Sequence, residues 1–333
     1  MGRYALRRLL QFVPVLFGTL FLLHYLQSLG FQLNGNPIRA LFGDRQPPPE
    51  TIQALTRSFG LDDPCLTQTG NPCLGLFLER LGGYAQGDFG VDFQRQSVID
   101  LILRAAPITI RLTFIAVVFE SIIGILAGVL AGIRKDKFID NFIRFTTVLV
   151  IAIPVFVLGV LVQIASGLYV GKWLSERGAP EWLTAAFSIS YQADHPWASL
   201  LVPGMVLGAL SLGFIARLTR TSLIESMRAD YVRTARAKGM SGARVVGVHA
   251  LRNSLIPVIT YIGIDVGALM GGALVTEGIF NIPGVGGLVF QSVRTGETPV
   301  VLAVVSLFTM VFLITSLLVD LLYAVLDPRI RYE

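Results

Sequence analysis

Few residues in this chain of 333 are placed to do chemistry, and they fall into two groups. The first is acidic and stands inside apolar runs: Glu120 within Pro107 to Gly132, and Asp265 within Leu255 to Val275. A lone carboxylate facing lipid costs roughly 2–3 kcal/mol or more at mid-bilayer, so each must face protein or a water-filled path. Glu120 is then either a transport-path residue or a paired or protonated structural group. The second group is basic. From Arg217 to Arg252 there are eight Lys or Arg (Arg217, Arg220, Arg228, Arg233, Arg236, Lys238, Arg244, Arg252) against two acids, Glu225 and Asp230. Such an excess between two apolar runs is either a solvated loop that fixes topology or a docking element for a cytosolic partner.

Other chemistries are excluded by what is missing. There is no Gly-x-x-x-x-Gly-Lys-Ser/Thr loop, and Gly171-Lys172-Trp173 is not one, so the chain cannot cradle ATP phosphates in that manner. Its three histidines (His24, His195, His249) fall on different expected levels without metal-ligand spacing. Ser211, in Ala209-Leu210-Ser211-Leu212-Gly213, lacks the leading glycine of a nucleophile elbow and reads as a packing serine. The expectation is a chain with no enzymatic activity, metal or cofactor of its own. Any energy it uses must come from a partner.

The elements that position these residues are membrane spans. The chain is 53% hydrophobic and only 15% charged, with mean hydropathy +0.66, where a soluble domain carries about 25% charged residues. Six spans are expected: Leu9 to Leu29, Pro107 to Gly132, Phe142 to Leu168 with a kink at Pro154, Ala198 to Ala216, Leu255 to Val275 and Val300 to Val325. Pro107 suits the first turn of the second span. Ser28-Leu29-Gly30 resembles a cleavage site, but the apolar run before it exceeds the ~7–15 residues of a signal peptide, so the first span reads as retained. The net charge of +5 gathers at Arg3, Arg7 and Arg8, at Arg134, Lys135 and Lys137, in the basic loop, and at Arg329 and Arg331. These clusters lie on one expected side, so they orient the chain in a lipid bilayer with both termini cytoplasmic and do not point to nucleic acid.

Residues 31–106 balance six Arg against eight acids and form an expected outer-side subdomain. Both cysteines, Cys65 and Cys73, fall there. A disulfide would suit an oxidising outer compartment and add ~2.5 kcal/mol on the loop-entropy model; two free thiols are the other reading. All three tryptophans (Trp173, Trp182, Trp197) fall in the second outer segment, which suits a position at the bilayer surface. Two glycine rows repeat every four residues, Gly124, Gly128 and Gly132, then Gly263, Gly267 and Gly271, each forming a ridge for close helix packing. Glu120 is in the first row one turn earlier, whereas Asp265 lies about 200° around its helix from the second. If that second ridge packs, Asp265 points elsewhere, to a water-filled path or a second protein contact.

Within the basic loop, Ala235 to Lys238 favours helix, Gly239 breaks it, and Ser241 can N-cap a second short helix through Arg244-Val245-Val246 to Leu251. Asp230-Tyr231-Val232-Arg233-Thr234-Ala235-Arg236-Ala237-Lys238-Gly239, His249-Ala250-Leu251-Arg252-Asn253 and Ile256-Pro257 resemble the coupling loop of bacterial ABC-importer permeases, in the dipeptide/oligopeptide branch. Arg233, Thr234 and Ala235 stand where the general form opens Glu-Ala-Ala, a departure usual in that branch. Leu61-Asp62-Asp63-Pro64, Gly87-Asp88-Phe89-Gly90 and the run from Thr276-Glu277 to Gly286 are also similar to it. Glu297-Thr298-Pro299 replaces an Asp-Tyr-Pro-like step, so no acid-specific role carries over there.

The resemblance implies an all-α membrane protein of six transmembrane helices with the ABC-importer permease fold: a first span (1–30), the outer subdomain (31–106), a core (107–326) containing the coupling loop (217–254), and an inner tail (327–333). It implies a bacterial inner-membrane location and import of peptides. The partners implied are a second permease, two ATP-binding subunits that hold ATP and Mg, and an external solute-binding protein. The expected ATPase-coupling residues are Ala235, Ala237, Lys238, Gly239, Met240, Ser241, Val245 and His249. Glu277, Phe280 and Pro283 would lie over the outer mouth of the path, with Glu120 and Asp265 along it; a plain hairpin is the other reading of that turn. Two further classes remain to be weighed: an ion-coupled secondary carrier using Glu120 or Asp265, which lacks the expected inverted halves, and an intramembrane hydrolase, which lacks a catalytic pair. The solute itself is not encoded legibly.

Overall fold

The computed structural model describes residues 2–35, 38, 42 and 47–326. The expected inner tail 327–333 and the Asn36-Pro37 part of the first outer turn lie outside the described residues. Among the described residues the secondary structure is helical apart from an isolated Val91–Ser97 bridge, and six helical stretches are long and apolar enough to cross a membrane. The chain divides into two compact units, 1–108 with 283–333, and 109–282.

The first unit is built on α1 (Gly2–Asn34), which packs along α14 (Thr298–Leu326), with α13 (Val285–Thr295) also against α14. Along apolar α1, His24, Ser28 and Gln32 recur every four residues and make one polar stripe. Gln32 Nε2 donates to the carbonyls of Cys65 (3.2 Å) and Asn71 (3.0 Å), and its Oε1 accepts from Gly70 N at 2.8 Å. His24 Nε2 lies 3.2 Å from the Cys73 carbonyl. Cys65 and Cys73 are joined in a disulfide, so the loop between them is closed covalently and seated on α1. The outer segment adds α2 (Pro49–Ser58) and α3 (Leu74–Ala85), whose Arg80 donates to Gln27 Oε1 at 2.7 Å.

The second unit holds most of α4 (Val98–Ile133), α5 (Phe138–Ala152), α6 (Val155–Ile164), α7 (Lys172–Glu176), α8 (Glu181–Ala186), α9 (Leu201–Ser226), α10 (Asp230–Ala237), α11 (Gly242–Arg244) and α12 (Leu251–Ile279). Its seam is α4 on α9. A Cβ on Gly128 would stand 2.5 Å from the Ala216 carbonyl and from Thr219 Cβ, and one on Gly124 2.8 Å from Ile215. Small residues on α9 reciprocate: Gly204 and Gly208 approach Ile115 and the Ala116 carbonyl. Small-residue rows on both helices let the backbones come together where side chains would hold them apart.

Several span boundaries differ from expectation. The second span starts nine residues early, at Val98, and Pro107 sits inside α4, two residues before the second unit begins at Thr109. The third span is broken at Pro154, not kinked. Ile153 and Pro154 are extended (ψ 123° and 135°), because proline pushes the preceding residue out of the α region, and the candidate span becomes Val155–Glu176 in place of Phe142 to Leu168. The fourth span runs ten residues past Ala216 to Ser226, taking Arg217 and Arg220 into helix. The expected separate second short helix does not exist. Gly242 onward runs through a π-helical stretch, Val245–Ala250, directly into α12. Apart from Gly247, which the helix tolerates, nothing in Val245 to Leu251 disfavours a helix, so the coil is confined to the turns flanking α10. Of the segment expected as a turn after the fifth span, Thr276 to Gly287, residues 280–284 do form the turn; Thr276 to Ile279 finish α12, and Val285 opens the unanticipated α13.

Candidate functional site

The inner loop folds around its own small core. Asp230 in the first turn and Arg236 in the last complement the dipole of α10. Gly239, at φ +76°, then reverses the chain in a conformation that L side chains resist. Val232, Ala235, Val245 and Ala250 form a buried cluster with Leu223 of α9, with Val129, Met227 and Met240 packed against it. Of the expected coupling residues, Ala235 and Val245 are therefore buried and brace the loop from within. Ala237, Lys238, Gly239 and Ser241 are exposed at its tip. Ser241 occupies the N-cap position with extended backbone, but its side chain makes no capping hydrogen bond. Met240 and His249 are half-buried and meet through Sδ and Nε2 at 3.1 Å, and His249 also lines a groove of about 450 Å³ with Tyr231, Val248 and Arg252.

The loop is carried on a fixed helix pair. Arg220 of α9 donates from Nε and Nη2 to the two oxygens of Asp140 on α5, at 2.6 and 2.7 Å. Asp140 is fully buried, and these charge-assisted bonds hold its carboxyl below the usual carboxylate range. Sequence reading missed this pair. The available signal was an acid four residues past Asp136, at the mouth of an apolar run and surrounded by arginines.

Glu120 and Asp265 are brought together. Both are buried, the Asp265 carboxylate acts electrostatically on Glu120, and among the described residues neither Glu120 oxygen nor Asp265 Oδ2 has a hydrogen-bond partner. Ser211 of α9 is buried as well, as a packing serine is. On α12 both the acid and part of the glycine row, at Gly267, are covered. Val258, Asp265, Leu269, Ala273 and Thr276 make its buried stripe, while Gly271 is exposed with nothing near a Cβ. Asp265 thus points into protein and the glycine row is not the packed face at Gly271.

At the other end of α12, Glu277 is fully buried and accepts from Thr109 Oγ1 of α4 at 2.7 Å. Phe280 is also fully buried, and the Ile282 amide returns to the Glu277 carbonyl at 2.9 Å. Gln163 of α6, not anticipated from sequence, donates to the carbonyls of Ile189 (2.9 Å) and Ile279 (2.6 Å). Pro283 is exposed. Trp173, Trp182 and Trp197 are each half-exposed, as rings at a membrane surface are.

Six helical stretches able to cross a membrane, buried acids on two of them and a braced basic loop define the class of multi-pass membrane transport components. The chain belongs to the family of binding-protein-dependent transport system inner membrane components, whose pattern matches residues 124–332. It is 34% identical to the dipeptide transport system permease protein DppB of Alkalihalophilus pseudofirmus and 33% identical to the di/tripeptide transport system permease protein DppB of Pseudomonas aeruginosa, over 99% of each chain. It is also 34% identical to the glutathione transport system permease protein GsiC of Escherichia coli over all of both chains. The chain is the non-catalytic membrane component of an ABC importer, with ATP held on separate subunits. Membership decides against the ion-coupled carrier and the intramembrane hydrolase.

Proposed function

We propose that this permease imports short peptides, of dipeptide to glutathione size, forming the path with a second permease and receiving solute from an external binding protein. Relatives named for dipeptide, di/tripeptide and glutathione transport support that range. The observation that carries the mechanism is the loop: an exposed tip, Ala237 to Ser241, held by a private core that joins α9 to the root of α12. A partner gripping that tip moves two spans at once. Two ATPase subunits closing on nucleotide push the tips of the paired permeases and bias a bundle with inward- and outward-open states. In this reading both termini and the loop are cytoplasmic, which the basic clusters support.

Glu120 and Asp265 offer unpaired carboxyl oxygens to a polar solute in an otherwise apolar bundle. Glu277 and Phe280 act on the outer gate by holding the turn that precedes Pro283. The test is a cysteine at Lys238 or Ser241 crosslinked in the assembled transporter, together with peptide uptake into vesicles. Capture of an ATPase subunit and uptake that stops with non-hydrolysable nucleotide are expected. Labelling of either cysteine only from the outer compartment would overturn the orientation and the coupling role.

A further inference from the structure

We propose that a cavity between the inner end of α4, α5 and α9 binds the headgroup of an anionic phospholipid. The cavity is about 490 Å³ and is lined by Arg144, Arg217 and Arg220, with Ile143, Val148 and Ala216 among its apolar walls. Its charge is not cancelled from within. Arg220 is neutralised by Asp140, whereas Arg144 and Arg217 are exposed and neither makes an ion pair among the described residues. Two guanidinium groups without an ion pair, Arg217 resting 6.0 Å from the Phe214 ring centroid and Arg144 within electrostatic reach of Asp140, suit a phosphate diester, which guanidinium binds with paired hydrogen bonds.

The position selects a lipid over a soluble anion. Ala131, in the cavity wall, lies three residues before the basic turn Arg134-Lys135-Asp136-Lys137, which places the cavity at the level where the inner leaflet carries its headgroups. From its mouth the apolar face of α5 continues through Phe145, Val148 and Leu149, at 66%, 54% and 48% exposure. Spaced three and four residues apart, they form one strip along which acyl chains lie. A free phosphate would leave that strip bare, while an amphiphile uses both halves. Bound there, the lipid clamps α5 to α9 just before α9 enters the coupling loop. The inner-leaflet level rests on the orientation proposed above.

The assembled transporter is placed in lipid discs of phosphatidylcholine with phosphatidylglycerol, extracted in detergent, and its retained lipid counted by native mass spectrometry. Sidedness plays no part in discs, so failure here is distinct from failure of the orientation. Arg144→Gln and Arg217→Gln are each expected to weaken retention of phosphatidylglycerol about fivefold, and Lys137→Gln, outside the cavity, to leave it unchanged. Arg144→Lys, which keeps the charge and loses the paired hydrogen bonds, is expected to retain more lipid than Arg144→Gln and less than wild type, which keeps the test decisive should an Arg217 variant fail to assemble. Wild-type retention in Arg144→Gln overturns the proposal. So does displacement of the lipid by inorganic phosphate, which assigns a soluble-anion site, or loss of an ATPase or permease subunit with lipid retention intact, which assigns a protein interface.

Discussion

The glycine rows of α4 and α12 have the same spacing and different surroundings. Along α4, a Cβ on Gly124, Gly128 or Gly132 would meet α9 at 3.0 Å or less. Along α12, Gly263 is half-buried, Gly267 buried and Gly271 open, because the packed stripe of that helix passes through Asp265 instead. A four-residue glycine repeat makes a smooth strip available on a helix. Whether a neighbour uses it depends on what else the helix must bury. On α12 the costlier item is a carboxyl, and burying it beside Glu120 and Tyr261 turns the glycines partly outward. On α4 the acid and the glycines share one row, so a single rotation satisfies both.

That contrast can be broken most severely at Gly128. Gly128→Leu is expected to abolish recovery of the folded transporter, since overpacking costs ~1–3 kcal/mol even where side chains can yield and here the obstacle is the Ala216 carbonyl. Gly271→Leu is expected to leave the melting temperature within a degree or two of wild type. Equal losses at the two positions, measured by thermal melting in detergent, would remove the distinction between the rows.

Next in size is the clasp at the inner end of the same seam. Asp140→Asn leaves Arg220 without its partner and is expected to cost up to about 3–5 kcal/mol, with Asp140→Ala no better. Because the folded-state ionisation of Asp140 is depressed, its contribution is fully present above about pH 4 and is lost only as acid carries the pH down through the depressed value. A loss that sets in between pH 6 and 5 would contradict that assignment.

The disulfide provides a control away from both rows. Replacing Cys65 and Cys73 with serine is expected to cost ~2.5 kcal/mol in the first unit and to leave ATPase binding unaltered. Smallest is Glu297, whose carboxyl is pushed up by burial and by Asp92. A raised folded-state value favours the protonated form, so its contribution is present at low pH and fades as pH rises through that value. Glu297→Gln should flatten this dependence, and a melting profile with unchanged pH slope would count against it.

Much of this was legible in residue order. Apolar runs gave the number of spans, Gly239 marked the reversal in the inner loop, and the motif around Ala235 to Gly239 pointed to coupling. Other features were not, because they depend on residues distant in the chain. Asp140 meets Arg220 across 80 positions and Thr109 meets Glu277 across 168. The His24, Ser28 and Gln32 stripe had a readable period, but only the outer loop seated on it explains why an apolar span carries polar groups.

The sequence by itself determined that this chain crosses a membrane, which end of it carries positive charge, and where its backbone must turn, since hydropathy, charge and the φ demands of glycine and proline act locally. Tertiary structure alone decided which side of each helix is buried, that Glu120 and Asp265 share one cluster, and that Ala235 and Val245 hold the loop from inside while Lys238 stands at its tip. Those outcomes depend on which surfaces meet, and a helix with two usable faces does not disclose its neighbour.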